Sequence, residues 1–108
     1  MTEIPENLAE SLKNLKEMYR KKIAENIGYY EDLLENPITE EVLTDLRINV
    51  HKLSGSAGIY GFLELSNATH EFDLELQDML KGGKDLSEHV IKAKIRGIIT
   101  IMAVEKEE

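Results

Sequence analysis

Apolar residues recur along this chain at intervals of three and four, the period of an α-helix, and no stretch alternates like a strand. Leu8, Leu12, Leu15 and Tyr19 open a stripe that Ile23, Ile27, Tyr30 and Leu34 continue. Pro5 suits the first turn of this helix, and Gly28 marks a kink or a break in it. Asn36-Pro37 ends it, because the residue before a proline avoids helical backbone angles. Thr39 is placed to cap the next helix, with Glu40 and Glu41 where acids complement the helix dipole. That helix carries Val42, Leu46, Val50, Leu53, Ala57 and Tyr60 on one side and stops at Gly61. A third carries Phe62, Leu65, Ala68, Phe72, Leu76, Met79 and Leu80. Lys81-Gly82-Gly83-Lys84 reads as a turn. Asp85 then begins the last helix, with Glu88 three residues on in the manner of a capping box, and Ile91, Ile95, Ile98 and Met102 form its stripe.

These stripes predict an all-α fold: an antiparallel up-down-up-down four-helix bundle with an additional N-terminal helix or a kinked helix. The apolar positions are core in this reading. The 108 residues suffice for a single domain, 1–108, with a frayed acidic tail at 105–108. The absence of cysteine excludes disulfides and thiolate chemistry. The N-terminus lacks the apolar core of a signal peptide. The most apolar stretch, 95–104, is shorter than the ~20 residues that span a bilayer. A net charge of −8 argues against nucleic acid and anionic membrane as partners. A cytoplasmic protein is expected, and without a sustained heptad seam it is expected to be a monomer.

One helix departs from this plain picture. The segment HKLSGSAGIYGF, 51–62, holds Gly55, Gly58 and Gly61 within seven residues, yet its apolar spacing stays helical. An interior glycine costs a helix about 1 kcal/mol relative to alanine. On a helical wheel His51 lies about 145° from the centre of the apolar sector, and so faces water. Arg47 and Gly55 share its side at i−4 and i+4, with Ser54 and Gly58 close by. Ile48 lies toward the other flank, and Lys52 stands on that same flank, about 100° round from His51. Bare glycines beside a protruding imidazole would let a large partner reach the ring; alternatively, Gly55 and Gly58 let a neighbouring helix pack close. The window 46–63 contains Arg47 and Lys52 and no Asp or Glu. Cations without acids favour the neutral, nucleophilic imidazole and would stabilise a phosphoryl dianion attached to it.

His51, Leu53, Gly55, Ser56, Ala57, Gly58 and Gly61 resemble the signature of histidine-containing phosphotransfer (HPt) domains. That likeness covers some twelve residues as a motif and most of the chain as architecture. It implies a helical bundle that exposes His51 as the phosphorylated nucleophile, through Nε2. It implies partners as well: response-regulator receiver domains or a hybrid sensor histidine kinase. His51 would take a phosphoryl group from one receiver aspartate and return it to another. Such a domain has no kinase activity, metal or cofactor of its own; Mg²⁺ sits in the receiver. Many members carry a lysine three residues after the histidine. Here that position is Ser54, so the phosphoryl-stabilising or docking role is expected of Lys52, Arg47, Ser54, Gly55, Gly58 and Ile48.

Three other readings compete. A non-catalytic bundle could dock receivers without carrying phosphate. A metal site could use His51, His70 and His89, but their spacings of 19 and 19 are not those of local ligand pairs, and bundle sites face inward. A conventional enzyme would need a catalytic triad, paired carboxylates or a phosphate-binding loop, and none stands out.

Overall fold

The computed structural model describes residues 6–82 and 87–107. Among them it contains four helices and no strand: α1 (Glu6–Leu34), α2 (Glu40–Ile59), α3 (Leu63–Leu80) and α4 (Glu88–Glu105). They pack as a four-helix bundle, with α3 beside α2 and α4 and with α4 beside α1. None of these helices is long and apolar enough to cross a membrane.

The ends follow local chemistry. Thr39 caps α2 by accepting a hydrogen bond from the Val42 amide at 3.2 Å. At the other end Gly61 takes φ +84°, a conformation that suits glycine. The amides of Gly61 and Phe62 turn back to the carbonyls of Gly58 and Ala57, closing a Schellman motif. The start of α4 differs from expectation. Ser87 is its cap, accepting from the Val90 amide, and Glu88 is the first helical residue, ion-paired to Lys92 at 3.0 Å. Pro5, the Gly83-Lys84 half of the expected turn, Asp85 and Glu108 lie outside the described residues.

The apolar stripes of α2, α3 and α4 meet as expected. Leu46, Val50, Leu53 and Ala57 pack with Phe62, Leu65, Phe72, Leu76, Ile91, Ile95, Ile98 and Met102. The stripe of α1 divides. Tyr19, Ile23, Ile27 and Tyr30 are buried, but Leu8, Leu12 and Leu15 are exposed, against the expectation that they are core. The reason is length. At 1.5 Å per residue the 29 residues of α1 extend about 43 Å, against about 27–30 Å for its neighbours. Its first turns therefore run beyond the end of the bundle. The helix continues unbroken through Gly28 rather than dividing in two.

Polar contacts join α1 to one side of α2. The Tyr30 hydroxyl donates to Asn49 Oδ1 (2.7 Å), and Asn49 Nδ2 donates to Asn26 Oδ1 (2.9 Å). The Tyr19 and Ser56 hydroxyls meet at 2.6 Å, and the Tyr19 ring stacks on Tyr60 with centroids 4.8 Å apart. The opposite side of α2 faces α3.

Candidate functional site: an exposed histidine held by a buried carboxylate

The burial of Leu46, Val50, Leu53 and Ala57 fixes the rotation of α2 about its axis. His51 is consequently turned outward, with 66% of its side chain exposed. Its Nδ1 lies 2.9 Å from Oδ2 of Asp73 on α3. Asp73 is almost fully buried, with 4% of its side chain exposed. Its other oxygen, Oδ1, accepts from Arg47 Nε at 3.4 Å. Burial by itself would push the Asp73 carboxyl up. The hydrogen bonds from His51 and Gln77, with the charges of His51 and Arg47, outweigh it and hold the group below its ordinary value.

An ionised carboxylate only accepts hydrogen bonds, so His51 donates through Nδ1–H. In the neutral ring that leaves the lone pair on Nε2, across the ring from Asp73. A neutral ring held in this way by a neighbouring carboxylate presents the lone pair that nucleophilic attack requires.

The expected absence of acids around His51 does not survive folding. The window 46–63 has none, but α3 delivers one directly to the imidazole. Asp73 is the residue missed by reading α2 alone. Its signal lay elsewhere: it stands between Phe72 and Leu76 and one turn after Thr69, all three buried. A charged group in a buried register requires a partner.

The other expected site residues separate into distinct places. Arg47 joins the cluster, but through Asp73. Gly55 stands in the open: a Cβ there would meet nothing within 4 Å. Gly58 is different. A Cβ there would come within 3.1 Å of Ser66 Oγ, so this glycine serves the close approach of α3. Ser54 belongs to the same contact. Ser66 Oγ donates to the Ser54 carbonyl at 2.9 Å, and Ser54 Oγ donates to the Ser66 carbonyl at 3.4 Å. Thus close packing accounts for Gly58, and Gly55 leaves the outer face open. Lys52 leaves the ring and lines a cleft of about 150 Å³ between α1 and α2, with Lys22, Asn26, Asn49, Leu53 and Ser56. Ile48 is exposed on the outer face of α2, three residues before His51. Tyr60 is half-buried against Tyr19. His70 and His89 are exposed. Among the described residues no group of three or more His, Asp or Glu side chains is arranged to hold a metal ion.

Comparison with protein-family models, with curated proteins and with solved structures finds no match. The functional reading therefore rests on the residues around His51.

Proposed function

We propose that this protein is a phosphocarrier of the HPt kind, relaying a phosphoryl group between receiver-domain aspartates through Nε2 of His51. The observation that carries this reading is the hydrogen bond from His51 Nδ1 to Asp73, made by a ring that is otherwise open to solvent. It leaves the Nε2 lone pair out of that bond on a ring 66% exposed, and Gly55, one turn along the same face, adds no side chain to that surface. The motif at 51–61 and the four-helix architecture support the same reading.

In the proposed relay, helices run up-down-up-down and the protein acts as a cytoplasmic monomer. The Ser54–Ser66 and His51–Asp73 contacts fit the antiparallel part of that arrangement, since positions fall along α2 as they rise along α3. The receiver supplies Mg²⁺ and most of the electrostatic stabilisation of the transferring group. His51 supplies the nucleophile and then the leaving group. Ile48 and Gly55 lie on the docking face.

The test is to incubate the protein with a phosphorylated receiver domain and search by intact-mass and peptide mass spectrometry for one acid-labile, base-stable phosphate. Phosphate on His51, absent from His51→Gln, is the expected result. A protein that binds receivers but takes no label, and whose His51→Gln variant signals normally, would be an adaptor instead.

A further inference from the structure

Asp73 does more than orient a ring, and the consequence follows from proton bookkeeping at Nδ1. The neutral ring enters the reaction with its proton on Nδ1, held by Asp73 Oδ2 at 2.9 Å. Nε2 attacks the phosphorus of a receiver's aspartyl phosphate. The P–Nε2 bond forms, the P–O bond breaks, and the released electron pair stays on the receiver carboxylate. No proton moves in this step. The product is a ring phosphorylated on Nε2 and still protonated on Nδ1, a phosphoimidazolium. Its positive charge lies against the Asp73 carboxylate.

A solvent-exposed phosphohistidine without such a partner can release the Nδ1 proton to water. The neutral phosphoimidazole so formed is a poorer phosphoryl donor, because cleavage of P–Nε2 would then expel an imidazolate anion. Asp73 opposes that loss. It is 4% exposed and paired with Arg47 Nε at 3.4 Å, so the carboxylate is kept beside the ring rather than in solvent. In the return step a receiver carboxylate oxygen attacks phosphorus, P–Nε2 breaks, and the pair returns to Nε2. The ring is again neutral with its proton on Nδ1. Neither half-reaction requires an outside acid or base.

We infer that Asp73 is a positioning residue that retains the Nδ1 proton through the phosphorylated state, keeping the phosphoryl group on His51 transferable in both directions. This rests on the relay reading, and the experiment separates the two. The ¹⁵N-labelled protein is phosphorylated with phosphoramidate, a small-molecule donor to imidazoles, so no receiver is needed to load it. Long-range ¹H–¹⁵N correlations of the His51 ring, assigned by their absence in His51→Gln, then report whether Nδ1 carries a proton or a lone pair. The loaded protein is next chased with unphosphorylated receiver domains and Mg²⁺.

The expected result is a protonated Nδ1 in phosphorylated wild type at neutral pH. In Asp73→Asn the proton is lost from that nitrogen, and the chase slows by about tenfold or more. Asp73→Glu, which keeps the carboxylate, recovers part of both. Circular dichroism of each variant, with an unchanged helical signal, separates this effect from unfolding. A lone pair on Nδ1 in phosphorylated wild type would overturn the inference, as would an Asp73→Asn chase at the wild-type rate. A protonated Nδ1 with no transfer to any receiver would support the proton-holding role and overturn the relay instead.

Discussion

Replacing Gly55 by leucine should stabilise the protein while blocking its chemistry, two effects of opposite sign from one side chain. Gly55 lies inside α2, where leucine is favoured over glycine by about 0.6–0.8 kcal/mol. A Cβ at this position meets nothing within 4 Å, so no packing cost opposes that gain. For a domain of this size, such a gain raises Tm by about 2–6 °C. The leucine also shares a face with His51, one turn away, at about 5–6 Å between Cβ atoms. Long side chains in a helix lean toward its N-terminus and cover the preceding turn, which here is the turn that carries the imidazole. In the proposed relay a receiver would then meet isobutyl in place of bare backbone. Initial rates of phosphoryl transfer from a phosphorylated receiver should fall by at least about tenfold, equivalent to about 1.4 kcal/mol in the barrier. Gly55→Ala should share the stability gain with a much smaller loss of rate. Thermal melts followed by circular dichroism and a quenched-flow transfer assay measure the two effects separately. A Gly55→Leu protein with raised Tm and an undiminished transfer rate would refute the role assigned to the open face. Gly58→Leu supplies the contrast: its Cβ would crowd Ser66 Oγ at 3.1 Å, and overpacking of that kind costs about 1–3 kcal/mol.

Two further outcomes follow from burial and charge. The Asp73 carboxyl is held below its ordinary value in the folded protein, so the unfolded chain binds the proton more readily. Its stabilising contribution is therefore complete above the unfolded value of about 3.9 and lost as pH falls through the lower folded value. Tm plotted against pH should accordingly fall more steeply in acid for wild type than for Asp73→Asn, and parallel curves would contradict the ion-paired carboxylate. Along α1, Leu12→Glu should change stability by no more than about 0.5 kcal/mol, whereas Ile23→Ala should cost about 2–5 kcal/mol. Urea denaturation of both variants checks whether the first turns of α1 stand clear of the core.

The helices of this protein were legible in its sequence because their information is local. Thr39 caps α2 through its own side chain, Gly61 ends it through its own backbone freedom, and the spacing of Leu46, Val50, Leu53 and Ala57 fixes which side turns inward. The same spacing predicts that His51 faces water, since a helical wheel needs no knowledge of neighbouring helices. What lies beside a residue is not local. Leu8, Leu12 and Leu15 repeat as regularly as Ile23 and Ile27, yet only the lengths of the other helices decide that they have nothing to pack against. Gly55 and Gly58 are one turn apart in almost identical local sequence; the path of α3, with Ser66 against one and nothing against the other, gives them different work. The charge around His51 followed the same rule. The stretch 46–63 around it offers no acid, and a carboxylate arrives from 22 residues away because α3 packs against α2. The sequence by itself determined the helices, the inward faces of α2, α3 and α4, and an outward histidine. Only the tertiary structure decided which side chains, brought together across helices, set the chemistry of its ring.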